Sequence, residues 1–134
     1  MATKKEKTDK KFDYKTIKTF EDACTKLGID PTALPELSLI PEEFRKPILA
    51  AYKLMIIYKA INNGWVPDWS KSSQYKYYPW FWVLSSGFGF SDSLYAYDFT
   101  ITTVGSLLCT DTSEKAMYIA KQFEQEYKDY FLYE

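Results

Sequence analysis

Tyr75-Lys76-Tyr77-Tyr78-Pro79-Trp80-Phe81-Trp82-Val83-Leu84, continuing as Ser85-Ser86-Gly87-Phe88-Gly89-Phe90-Ser91-Asp92-Ser93-Leu94-Tyr95-Ala96-Tyr97-Asp98-Phe99-Thr100-Ile101, is the stretch that decides the fold. Aromatic and β-branched side chains suit a pleated, half-buried surface, while Ser, Gly and Asp clusters between such runs are turn chemistry. Strands are expected from Gln74 through Val83, around Phe88-Gly89-Phe90 and from Leu94 to Ile101, with turns at Ser85-Ser86-Gly87 and Ser91-Asp92-Ser93. A further short strand is expected from Val104 to Cys109. Pro79 has no N–H to give to a ladder, so it forces an edge or a bulge. In the last long strand Tyr95, Tyr97, Phe99 and Ile101 fall on one face and Ala96, Asp98 and Thr100 on the other. Consecutive strands joined by tight turns form an antiparallel meander.

Helices flank this region. Upstream, Thr19 is placed to cap a helix with Asp22 three residues on, and Gly28 is a left-handed terminator. A longer helix is expected from about Pro41 to Asn62, closed by Asn63-Gly64. Its stripe of Phe44, Ile48, Ala51, Tyr52, Met55 and Tyr58, widened by Leu49, Ile56 and Ala60, predicts a central helix packed by more than one neighbour. Pro47 inside it predicts a kink or a restart at Arg45-Lys46. Trp65-Val66-Pro67-Asp68-Trp69-Ser70 reads as an ordered loop folded onto the domain. Downstream, Thr112 or Ser113 starts one closing helix on which Ala116, Ile119, Ala120, Phe123, Tyr127, Tyr130 and Phe131 share a face. The expected plan is therefore α+β: a three- or four-stranded antiparallel meander with two N-terminal helices and one C-terminal helix packed on one face.

At 134 residues the chain has the length of one domain. Residues 1–18 hold seven Lys against Glu6, Asp9 and Asp13, a local excess of four positive charges in a chain whose total is −1. They are expected to form a flexible Lys-rich arm, either solubilising or phosphate-binding, ahead of a single domain over residues 19–134. No run approaches the length of apolar sequence that a membrane helix needs, and the start is hydrophilic, so no membrane association is expected and the protein should stay in the cytoplasm where it is made. Cys24 and Cys109 are expected to be small buried hydrophobes. The chain contains no His and no close cysteine pair, which removes the usual zinc, Ser-His-Asp and Cys-His sites. No enzyme activity, no metal and no cofactor are expected.

Several blocks are distinctive in combination: Gly64-Trp65-Val66-Pro67-Asp68-Trp69, Tyr75-Lys76-Tyr77-Tyr78-Pro79-Trp80-Phe81, Gly87-Phe88-Gly89-Phe90-Ser91, Val104-Gly105-Ser106 and Lys121-Gln122-Phe123. Together, over roughly residues 19–133, they resemble a family of small proteins without an assigned activity, encoded by Bacteroides-group bacteria and above all by their phages and prophages. The resemblance implies a phage-related origin and no particular activity. In that family an Arg often follows the Gly-Ser of the Val-Gly-Ser block and a Lys follows soon after the Cys. Leu107 and Asp111 stand there in this chain, so an anion site in residues 104–111 is not expected.

The aromatic content, 19% with twelve Tyr, nine Phe and four Trp, fits a compact core, a recognition surface, or both. Tyr75, Lys76, Tyr77, Trp80, Phe88 and Phe90 are the candidate binding surface. Gly87-Phe88-Gly89-Phe90 partly matches the strand signature whose aromatics stack on RNA bases, and a Lys among tyrosines suits single-stranded nucleic acid. The same composition suits a sheet that docks a protein, or simply a core. The leading expectation is a non-enzymatic accessory protein that works by protein–protein contact through its aromatic sheet, with itself, a virion protein or a host protein as partner. In that case it is a virion or host-takeover component. The alternative is a single-stranded nucleic-acid-binding protein that uses the Lys-rich arm and the sheet aromatics.

Overall fold

A computed structural model describes residues 11–85 and 87–132. A 3-10 turn at Tyr14–Thr16 leads into α1 (Phe20–Leu27) and α2 (Glu42–Asn62); β1 (Lys76–Leu84) and β2 (Gly87–Asp98) follow, then α3 (Ser113–Gln122) and α4 (Glu124–Phe131). The fold is α+β, with helices packed on an antiparallel meander.

Local chemistry sets most boundaries. Thr19 Oγ1 accepts from the Asp22 amide at 3.0 Å while Asp22 Oδ2 accepts from the Thr19 amide at 3.2 Å, a reciprocal cap that satisfies two orphan donors. Gly28 ends α1 at φ 70° and Asn63 ends α2 at φ 47°. Thr112 caps α3 by accepting from the Lys115 amide at 3.1 Å.

β1 and β2 pair from Lys76↔Asp98 to Pro79↔Tyr95 and again from Phe81↔Phe90 to Leu84↔Gly87. Trp80 therefore lies opposite the four residues 91–94, a wide irregularity beside Pro79. Ser91-Asp92-Ser93 thus forms this bulge within one long strand instead of a turn between two. No strand forms over the expected Val104 to Cys109; a single bridge just beyond it, at Thr110, adds the third strand. In it Tyr77 donates to the Thr110 carbonyl at 2.8 Å and Thr110 to the Tyr77 carbonyl at 2.9 Å.

The helices depart from expectation in three places. α2 continues unbroken through Pro47, which stands near its N-terminal end. There the missing N–H deprives only the Glu43 carbonyl of an intrahelical donor. The buried face of α2 carries Ala50, Leu54, Ile57, Tyr58 and Ile61, whereas Phe44, Ile48 and Met55 of the expected stripe are exposed. α2 is flanked by both α4 and α1, the more than one neighbour expected of it. The single closing helix is broken at Phe123, whose ψ of 34° leaves the helical range, while Phe123 and Tyr127 both lie in the core as the shared face expected.

Residues 11–18 are also placed differently from the expected arm. Ile17 is buried, Tyr14 packs edge-on against Tyr118, and the Tyr118 hydroxyl donates to the Ile17 carbonyl at 2.7 Å. Apolar Phe12, Tyr14 and Ile17, spaced along a basic segment, are what bind it to the domain. Residues 1–10 of the arm lie outside the described residues.

The core joins Phe20, Ala23 and Cys24 of α1 to the buried face of α2, Leu108, and Ile119, Phe123 and Tyr127 of α3 and α4. Within it the hydroxyls of Tyr58 and Tyr127 share a hydrogen bond. Asn62, at the end of α2, donates to the Cys109 carbonyl at 2.9 Å and accepts from Thr110 Oγ1. That pair pins the end of α2 to the residue that bridges to β1.

Candidate binding surface

Alternation along β1 and β2 separates the six candidates. Tyr75, Tyr77, Phe81, Phe88 and Phe90 share one face with Tyr95, Tyr97 and Phe99, while Lys76 and Trp80 belong to the opposite one.

On the first face the aromatics form two groups. Tyr75 stacks on Tyr97 with ring centroids 4.8 Å apart and meets Phe99 edge-on at 4.9 Å; Tyr77 lies 5.9 Å from Tyr95. Tyr75, Tyr95, Tyr97 and Phe99 are all exposed, and Tyr77 is half-buried among them. Burial, followed by the neighbouring Tyr95 hydroxyl, raises the Tyr77 phenol above its ordinary value. The second group turns inward. Phe81 stacks on Phe88 at 5.0 Å and packs against Tyr127 of α4 at 4.6 Å, and Phe88 also meets Phe131. Phe88 is therefore part of the core margin and is not available as a stacking platform, a correction that follows from α4 covering this half of the sheet. Phe90 is half-buried beside Phe81, and its amide donates to Glu124 Oε2 at 3.2 Å. A Cβ at Gly89 would stand 3.4 Å from that same oxygen, an ordinary contact. Glu124 sets negative charge beside Phe90, where a phosphate backbone would need the opposite.

Lys76 is the largest correction. It is 0% exposed, and its ammonium donates to the carbonyls of Asp68 at 2.7 Å, Lys71 at 3.1 Å and Phe99 at 2.6 Å, with the Trp69 ring 5.0 Å away. It ties the loop before β1 to the turn after β2 and offers nothing to a ligand. Its register partner Asp98 is buried too, accepting from the Tyr78 hydroxyl at 3.2 Å. Further along this face Trp80 and Trp82 are 55% and 53% exposed, as is Leu84 at 56%. Between Tyr77 and Thr110 the chain has no Lys or Arg, and its only acids are Asp92 and Asp98.

Tyr95, Tyr97, Phe99 and Trp82 belong to the exposed surface although composition alone did not single them out. Strand alternation was the available signal: it aligns Tyr95, Tyr97 and Phe99 with Tyr75 and Tyr77, and splits Lys76 from both. Leu107 is exposed and Asp111 is held by Lys115 at 2.9 Å, so neither completes an anion site.

Both thiols are buried. Burial, reinforced by the Asp98 carboxylate and opposed by Lys76, pushes the Cys109 thiol up to about 12, far from the thiolate that nucleophilic chemistry uses. Among the described residues no three His, Cys, Asp or Glu side chains gather as a metal site, and no helix is long and apolar enough to cross a membrane. No family model, curated protein or solved structure matches the chain.

Proposed function

We propose that this chain is a non-enzymatic accessory protein of phage or prophage type that acts by protein–protein contact through its aromatic hairpin, as a virion or host-takeover component. The supporting observation is the exposed aromatic surface of a hairpin that carries no cation from Tyr77 onward: Tyr75, Tyr95, Tyr97 and Phe99 on one face, Trp80 and Trp82 on the other. Exposed strands are ordinarily protected by charged side chains, Lys above all, and aromatic clusters free of charge characterise the centres of protein interfaces.

Single-stranded nucleic-acid binding fits this surface less well. Stacking platforms for nucleic acid are set in basic grooves, whereas Lys76 is consumed by three carbonyls and Glu124 stands beside Phe90.

The test is site-specific photo-crosslinking in infected cells. A crosslinker replacing Trp82 or Tyr97 should trap one defined protein, and the same group at Glu21 should not. Adducts lost on nuclease treatment, or identical adducts from all three positions, would count against protein contact through the hairpin.

A further inference from the structure

Away from the sheet, a cleft of about 470 Å³ opens between α2 and the segments that follow it. Tyr52, Met55 and Ile56 of α2 form one wall, and Trp65, Val66 and Leu107 contribute to the other. The cleft exists because Tyr52 packs on Phe20 of α1 while Met55, one turn further along α2, is left exposed. Trp69 Nε1 donates to Ser106 Oγ at 2.8 Å, which fastens the loop after α2 to the segment carrying Leu107. Val66 is 72% exposed and Leu107 59%: apolar side chains are held open to solvent around a concavity.

The polar part of the lining is one-sided. Asn62 is committed to Cys109 and Thr110. The Lys59 ammonium has no partner among the described residues, and Ser106 Oγ, already an acceptor from Trp69, keeps its own proton to give. No carboxylate lines the cleft among the described residues. Apolar walls with uncommitted donors alone select a ligand that is apolar along its body and anionic at one end. Small-ligand sites span roughly 300–1,000 Å³, and this cleft falls toward the lower end.

We propose that the cleft binds a free medium-chain carboxylate, an acyl anion of roughly ten carbons, its chain against Tyr52, Met55, Trp65 and Leu107 and its head group at the Lys59 ammonium, with the Ser106 hydroxyl as second donor. The site is separate from the hairpin surface and independent of the function proposed for it.

Calorimetric titration of the full chain with decanoate, decanol and decylammonium, each below its micelle concentration, tests this. Decanoate should bind one site with Kd below about 1 mM, and decylammonium should bind at least about tenfold more weakly. Lys59→Gln should weaken decanoate about fivefold and leave decanol unchanged, and Val66→Glu should abolish binding of decanoate. Both positions are exposed, so an unchanged Tm verifies that each variant is folded; Trp82→Ser should bind decanoate like the parent. The proposal is overturned if decanoate gives no saturable heat, if decylammonium binds as well, or if both cleft variants bind normally. A Glu-bearing amphipathic helical peptide that binds where decanoate does not also overturns it, in favour of protein docking along the Phe44–Met55 stripe.

Discussion

Lys76→Met is the sharpest test of how the sheet is held. The ammonium donates to three carbonyls, those of Asp68, Lys71 and Phe99. Charge-assisted bonds of this kind contribute about 1.5–3 kcal/mol each before costs, and burying the ammonium costs several kcal/mol, so the net value of the site is far below the gross sum. Methionine keeps the apolar stem and removes both the charge and the donors. What remains is three carbonyls without their donor, at about 1 kcal/mol or more apiece, for a loss of roughly 3 kcal/mol. For a domain of this size that lowers Tm by about 10 °C. Urea and thermal unfolding followed by circular dichroism measure it, and proteolysis should cut faster within residues 65–73, the loop the ammonium secures. If Lys76→Met unfolds within about 0.5 kcal/mol of the parent, Lys76 is not the tie between the two loops. Labelled oligonucleotide should bind Lys76→Met and the parent alike, since the ammonium is inaccessible in the folded chain.

Tyr127→Phe leaves the buried Tyr58 hydroxyl without its partner and should cost about 1–3 kcal/mol, whereas Tyr58→Phe combined with Tyr127→Phe should cost less than the two single losses together, as a double-mutant cycle in urea will read. Burial holds both phenols above their ordinary value near 10. Above that pH the unfolded chain gives up protons that the folded chain keeps, so unfolding free energy should fall by about 1.4 kcal/mol per pH unit for each tyrosine, with no contribution from them below about pH 9. An alkaline limb that is no shallower in the double Phe variant would refute this assignment. Cys24 and Cys109, buried and raised by that burial, should resist a thiol reagent at pH 8 until the chain unfolds; rapid labelling of folded protein would show otherwise.

What the sequence revealed follows from how local each determinant is. The Thr19–Asp22 cap, Gly28, Asn63 and the Thr112 cap rest on chemistry within a few residues, and each lies where the sequence placed it. The break at Phe123 has no local sign, since neither Gly nor Pro stands there. The choice of buried face on α2 was equally non-local, because that helix is apolar on two sides and only its neighbours decide between them. At the candidate surface, composition pointed to a hairpin whose aromatics are in part exposed, but grouped Lys76 with Tyr75 and Tyr77. A period of two would have placed it on the opposite face, though nothing short of the folded chain shows that three loop carbonyls wait for it there.

The way the hairpin is guarded bears on how a partner meets it. At Tyr77 the outer edge of β1 is taken by Thr110, and at Phe90 the β2 amide that points away from β1 is taken by Glu124. Pro79 removes another ladder donor from β1. Edge pairing is thus obstructed on both strands, at positions within the same hairpin, while Trp80, Trp82, Tyr95 and Tyr97 offer exposed, uncharged side chains to an apolar partner. Protein contact by strand addition would depend on backbone groups that are already engaged; contact by a face would depend on Trp80, Trp82, Tyr95 and Tyr97, which are exposed. The two modes separate experimentally. Face docking predicts that Trp82→Ser or Tyr97→Ser removes the crosslinked partner while Glu124→Gln leaves it in place. If instead Glu124→Gln strengthens capture and the face variants retain it, the partner is adding a strand to β2.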